Sequence, residues 1–329
     1  MQLDRTEIVI RQRTLMEIMD LSVVVLRRHF RMICLCGLLL GLPLGVANVA
    51  STYWMLSEEA YMASENLANP EWAMWARHTW HLVLLWAIEF PIVSLPITLF
   101  LGSQIFFNPI TLKEILRAMW AIAVPVVIVL GIARFGLLFL VSEWFVPHDV
   151  AWSGLEVWTC MLAPLVVFFM RAGWPFAPEI LALERCKLRK RNQKAITYAS
   201  RSRTLHRLFV ADHVARWIGS CIYGTLLVFM LVGFAMFVRG ITRGEWDWAP
   251  VFDHLVLPVC LWAASLYFAV FRFLSYLDNR IRLEGWEIEL RLKAEAGRLE
   301  RTIGSLEAEV EKRNKDKVDD HSEEAKAPV

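Results

Sequence analysis

The sequence predicts an all-α fold: a polytopic membrane helical bundle of six transmembrane helices, with interfacial amphipathic helices and a C-terminal cytoplasmic helix. Three observations carry this reading. Of the 329 residues, 57% are hydrophobic and 21% charged, with a mean hydropathy of +0.43; that balance leans away from a water-soluble globule and excludes disorder over most of the length. Apolar runs of about 20 residues, the length a helix needs to cross a hydrocarbon core of roughly 30 Å, recur along the chain. The lysines and arginines collect between alternate runs, as the positive-inside rule requires of a threaded bundle.

The first run, Met32–Ser57, contains no charge. The second, Leu82–Leu112, contains Glu89 in its outer part, and the third, Ala118–Ser142, contains Arg134. The fourth extends from about Trp152 to Trp174, with Glu156 and Arg171 near its two ends. The fifth, Trp217–Val238, is clean, and the sixth, Leu255–Phe271, is short and bounded by His254 and Arg272. The polar lead before the first run is too long for a cleaved signal peptide. With both termini cytoplasmic, 6 basic residues precede the first span, 2 lie in the loop 108–117, 11 between Arg171 and Arg216 and 12 after the last span, leaving only Arg77, Arg239 and Arg243 outside and Arg134 within a span. Reversed threading would invert this tenfold bias, so both termini are predicted cytoplasmic. Trp54, Trp72, Trp75, Trp80, Trp144, Trp152, Trp158, Trp246 and Trp248 gather near the outer span ends, as an aromatic belt does.

The cytoplasmic elements follow from local patterns. Thr14 with Glu17, and Thr111 with Glu114, have capping-box spacing ahead of apolar periodicity. Leu15, Ile18, Met19, Val23, Leu26 and Phe30 share one helical stripe, which predicts an interfacial helix before span one. Thr204-Leu205 begins a third, similar segment, so the bundle divides into three loose units, each an amphipathic helix plus a hairpin. Residues 1–31 are then a cytoplasmic amphipathic helix, 32–271 the six-span bundle, 272–312 a cytoplasmic helix and 313–329 a charged, disordered tail. In the C-terminal helix, Leu292, Leu299, Ile303, Leu306 and Val310 form the seam of a short coiled coil, with Asp278–Arg282 among its i,i+4 pairs. A partner helix and self-association into a homo-oligomer fit that seam equally. The dense run Arg185, Lys187, Arg189, Lys190, Arg191 and Lys194 suits anionic lipid headgroups at the cytoplasmic face, at about 1 kcal/mol per cation, although ordinary positive-inside anchoring explains it too.

Candidate chemistry is sparse. Glu89 and Arg134 both sit an estimated ~10–12 Å deep in adjacent antiparallel helices, so they are expected to pair within the bilayer, as a packing clamp or as a gated ion step. Pro43, Pro91, Pro96, Pro125, Pro164 and Pro258 interrupt five of the spans, as in transporters but also in ordinary membrane helices. Gly41 and Gly45 have small-xxx-small spacing. Glu71, His78 and His81 share a helix face starting near Pro70 and form a weak candidate for an outer metal site. Ten acidic residues mark the outer loops and span edges, without EF-hand spacing. No GxSxG, HExxH, GxxxxGK[ST], GxGxxG or CxxC occurs, so nothing predicts an enzyme, a cofactor or a nucleic-acid partner.

Two segments, Arg13-Thr-Leu-Met-Glu17-Ile-Met-Asp20 followed by Arg27-Arg-His-Phe30, and Tyr276-Leu-Asp278-Asn-Arg280-Ile-Arg282-Leu-Glu284-Gly285-Trp286-Glu287-Ile-Glu289-Leu290, resemble bacterial integral-membrane proteins of uncharacterised role, related to the membrane domain of glycerophosphodiester phosphodiesterases. The resemblance implies a polytopic protein of the bacterial inner (plasma) membrane working beside other membrane components. It does not imply phosphodiesterase activity, because no segment supplies the soluble catalytic barrel. The expected function is a non-enzymatic scaffold or subunit of a membrane complex, recruiting partners through its C-terminal helix. The alternative is a transporter or permease for a small solute or lipid, using Glu89 and Arg134.

Overall fold

A computed structural model describes residues 13–57, 70–105, 110–145, 153–188, 196–207, 210–246, 248 and 250–284. Among these residues there is no β-strand, and six helices are long and apolar enough to cross a membrane, the architecture of a multi-pass membrane protein. Two compact units result, residues 13–277 and residues 1–12 with 278–329. The second is described only over 278–284, where Arg282 Nε meets Asp278 at 3.0 Å as the i,i+4 spacing predicts. The coiled-coil seam Leu292, Leu299, Ile303, Leu306 and Val310 and the tail lie outside the described residues.

Helix α1 (Leu15–Arg28) starts where the capping box sets it: Thr14 Oγ1 accepts from Glu17 N–H while Glu17 accepts from Thr14 N–H at 2.9 Å. Its apolar stripe divides between two surroundings. Ile18 and Val25 are buried with Ser22, whereas Val23, Val24 and Phe30 are exposed. Only His29 separates α1 from α2 (Phe30–Thr52), which ends in a 3-10 turn over Tyr53–Leu56. The close approach along α2 involves Gly37 and Gly41 rather than Gly41 and Gly45. A Cβ on Gly37 would meet Leu266 at 2.3 Å and one on Gly41 would meet Trp262 at 2.7 Å, while Gly45 faces open space.

The second span breaks. Helix α3 (Pro70–Val93) and helix α4 (Leu95–Ile105) are separated by Ser94. Pro91 and Pro96 lack N–H groups, but the ladder carries on through Ser94, whose N–H donates to Phe90 O at 3.0 Å and whose O accepts from Thr98 N–H at 2.9 Å, while its Oγ donates to Pro91 O at 2.9 Å. The third span breaks more sharply, correcting the expected continuous helix over 118–142. Helix α5 (Leu112–Val126) has its own capping box at Thr111–Glu114 and contains Pro125. It passes into a π-helical turn over Val127–Ile132, and the chain then reverses its backbone hand at Phe135 (φ 59°) before α6 (Gly136–Trp144). Glycine is required next to that turn: a Cβ on Gly136 would lie 2.7 Å from Leu130 O.

Helix α7 (Gly154–Gly173) is capped by Ser153, whose Oγ accepts from Glu156 N–H at 3.1 Å. The following stretch, expected within a basic cytoplasmic loop, is buried. Phe176, Ala177, Glu179, Ile180, Leu181 and Ala182 are each at most 2% exposed, in a short helical turn at Ala177–Glu179 and a π turn at Ile180–Glu184. Next come α8 (Tyr198–Arg207), α9 (Val210–Arg243) and, after a π turn at Phe252–Val256, α10 (Leu257–Glu284). Thr204 does not start a third unit. It lies inside α8 with its hydroxyl donating back to Ser200 O at 3.1 Å, so the repeat holds only for the first two capping boxes. None of the residues in the most apolar stretch of α9 is buried, as befits a helix whose surroundings are acyl chains.

Candidate functional site

Contacts between α3, α6 and α7 fix their register. His81, Leu84 and Ile88 of α3 meet Glu143, Phe139 and Gly136 of α6 in turn, so these helices are antiparallel. His81 and Phe90 meet Glu156 and Arg171 of α7, so α3 and α7 are parallel. Charge is buried at two levels along this frame.

At the first level, level with Thr52, Arg77 clasps Glu156 through Nε and Nη2, each at 2.5 Å, and lies over the Trp54 ring at 4.9 Å. His81 Nδ1 is 2.7 Å from Glu143 and Nε2 is 3.0 Å from Glu156. Since a carboxylate only accepts, both ring nitrogens are assigned as donors and the ring as imidazolium. Among the described residues, two cations and two carboxylates therefore form a network across α3, α6 and α7. Cys160 Sγ lies 3.5 Å from His81 Nε2, but that nitrogen's proton is directed at Glu156, so the imidazole is not a free base for the thiol. The network also engages a histidine of the candidate outer metal site. His78 turns away and its Nδ1 sits 3.2 Å from Thr52 O, His81 is committed to the glutamates, and the Glu71 side chain lies outside the described residues. Among the described residues no group of three potential ligands could hold a metal ion.

The expected Glu89–Arg134 pair does not form. Glu89 is 4% exposed and accepts from Asn48 Nδ2 at 2.7 Å. Arg134, two residues before Gly136, lies level with Phe90 and donates through Nη2 to Trp174 O. The turn at 133–135 points Arg134 at Trp174 beyond α7, while Glu89 faces Asn48 of α2, so the two lie at one level but aim at different neighbours.

Arg134 belongs instead to the second level. Arg171 lies fifteen residues beyond Glu156 on α7, roughly 22 Å further along at 1.5 Å per residue. Its guanidinium lies 5.1 Å from the Phe90 centroid, and that of Arg272 lies 5.0 Å from the same ring. Arg272 Nε donates to Glu179 Oε1 at 2.7 Å and Nη2 donates to Ser94 Oγ, in the break between α3 and α4. Arg171 is within electrostatic reach of Arg272 and Arg134, and Arg134 of Glu179 and Tyr198. Among the described residues, Glu179 thus contacts Arg272 and lies within electrostatic reach of Arg134, and Arg171 lies beside both arginines. Arg171 Nη2 and Glu179 Oε2 are buried without hydrogen-bond partners, and Glu179 is wholly buried.

This level rests on a packed floor. Phe176 stacks on His206 at 5.6 Å, and Glu184 accepts from Tyr276 Oη at 2.6 Å and pairs with Arg201. His206 Nε2 accepts from Phe176 N–H at 3.3 Å, and its Nδ1 donates to Ser202 O at 2.7 Å, which fixes the neutral tautomer. Burial pushes its pKa down to about 4, aided by the charges of His213 and Arg134 and opposed by Ser202 O. The unfolded chain takes up this proton near pH 6.5 and the folded protein only near pH 4, so stability falls as pH drops through that window. The expected loss is about 2 kcal/mol by pH 5. Melting curves at pH 7.5 and 5.0 should show His206→Gln losing that much less over the interval than the wild type.

Of the basic run, Arg185 has a left-handed backbone (φ 47°) and Lys187 O accepts from Tyr198 N–H at 3.0 Å. Arg189, Lys190, Arg191 and Lys194 lie outside the described residues. The sequence reading omitted Glu179 and Arg272 from the site. The signal for Glu179 was present: an apolar stretch, Trp174–Leu183, holding a single carboxylate inside an otherwise basic loop. No protein-family model, curated protein or solved structure matches this chain, so the resemblance to the phosphodiesterase membrane domain rests on its motif residues alone.

Proposed function

We propose that this chain is a non-enzymatic, multi-pass inner-membrane protein that binds and moves an anionic solute or lipid inside its bundle. The observation that carries the reading is the Phe90-level site: Arg134, Arg171 and Arg272 clustered with one carboxylate among the described residues, Glu179, which Arg272 contacts, and with a buried guanidinium nitrogen of Arg171 unpartnered. Buried ionised groups persist when paired, and an uncompensated cluster inside a membrane bundle marks a substrate path. The break at 133–135 beside that site resembles the discontinuous helices that line substrate sites in transporters. The balance of basic residues supports cytoplasmic termini, with the run from Arg185 to Lys194 near the inner leaflet surface.

The scaffold reading keeps one support: α10 continues as a helix past the last apolar run to Glu284. One experiment separates the two. The protein is purified from native membranes, and co-purifying lipids, small anions and proteins are identified by mass spectrometry. The transport reading predicts an anionic compound that is lost when Arg171 and Arg272 are both changed to Gln, with protein partners unaffected. If instead no anion is retained, and deletion of 292–329 strips protein partners, the chain is a scaffold.

A further inference from the structure

Resting on that reading, and naming its ligand, we propose that the Phe90-level site takes the phosphate of an anionic phospholipid, entering sideways from the bilayer between the 133–135 turn and the end of α7. The chemistry of the site selects phosphate. Guanidiniums bind its oxygens through paired N–H groups, and Arg171 holds an Nη2 that is buried and has no acceptor. Arg272 is held by Glu179 and Ser94, and Arg134 by Trp174 O, so the cluster is fixed before a ligand arrives. With one carboxylate against three guanidiniums it keeps an excess of positive charge, which an incoming phosphate offsets.

The rim selects a lipid over a soluble anion. The residues on either side of the bridge from Arg134 to Trp174 are apolar and face outward: Ile132 is 60% exposed, Phe135 45% and Trp174 46%. A water-borne phosphate has no use for such a surface, whereas acyl chains would lie along it while the headgroup reaches the arginines.

The test uses the full chain in a non-ionic detergent, with unfolding followed by the fluorescence of its 15 tryptophans. Dioleoylphosphatidylglycerol, dioleoylphosphatidylcholine and inorganic phosphate are titrated separately into the wild type, Arg171→Gln and Arg171→Lys. Phosphatidylglycerol should raise the wild-type melting temperature, and its half-maximal concentration should rise at least tenfold in Arg171→Gln. Arg171→Lys keeps the charge but loses the guanidinium fork, and should need several-fold more lipid than the wild type. It carries the test should the glutamine variant fail to accumulate. Phosphatidylcholine, whose ammonium group meets the arginines unfavourably, and inorganic phosphate should give no comparable shift. A shift with inorganic phosphate equal to that with phosphatidylglycerol overturns the lipid assignment and leaves the anion site standing. If phosphatidylglycerol acts equally on the wild type and the Arg171 variants, both the lipid assignment and the anion site fall.

Discussion

Changing Glu156 to Ala is expected to destabilise the protein by about 3–5 kcal/mol, the range for removing one partner from a buried ion pair. Glu156 is wholly buried and serves two cations, Arg77 through both its carboxylate oxygens and His81 through one. Its loss takes from Arg77, 6% exposed, the carboxylate that both its Nε and Nη2 engage. Removing one partner of a buried pair costs more than replacing both, so the double variant Arg77→Met with Glu156→Met should recover most of it. Thermal unfolding in one detergent reads both. A Glu156→Ala protein that melts with the wild type would show that the network is solvated and does not tie α3 to α7.

The second large effect is expected at Glu179. Glu179→Ala removes the carboxylate that, among the described residues, contacts Arg272, and leaves the guanidiniums of Arg171 and Arg272 over Phe90 with Arg134 nearby. We expect a similar loss, about 3–5 kcal/mol, in lipid-free detergent. Unlike the Glu156 variant, this one should be rescued: an anion bound among the arginines takes over the compensation, so phosphatidylglycerol should restore more melting temperature to Glu179→Ala than it adds to the wild type. Equal increments in the two proteins would separate Glu179 from the anion site.

These two sites differ in how far the sequence discloses them. Six membrane-length helices are legible because hydrophobic length is a one-dimensional property, and both Thr–Glu capping boxes are legible because three-residue spacing fixes their geometry. Helix breaks are not. The run from Ala118 to Ser142 looks continuous to a hydropathy count, yet Pro125, Gly131 and Gly136 allow a π turn and a left-handed Phe135 within it. That one turn points Arg134 away from Glu89 and toward Trp174, beside Arg171. Asn48 was invisible as Glu89's partner because an uncharged amide does not register in a charge map. Glu179 was hidden by its neighbours: assigning the stretch around it to a cytoplasmic loop follows from the lysines and arginines after it, while the buried side chains Phe176 to Ala182 say otherwise.

The account turns on whether the Phe90-level arginines hold an anion, and a cryo-electron microscopy map of the full chain in phosphatidylglycerol nanodiscs addresses it most directly. The account predicts headgroup density with a phosphate about 3 Å from Arg171 Nη2, and acyl density running outward past Phe135 and Trp174. A well-resolved Arg171 paired with a protein carboxylate, with no density among the three guanidiniums, would contradict it.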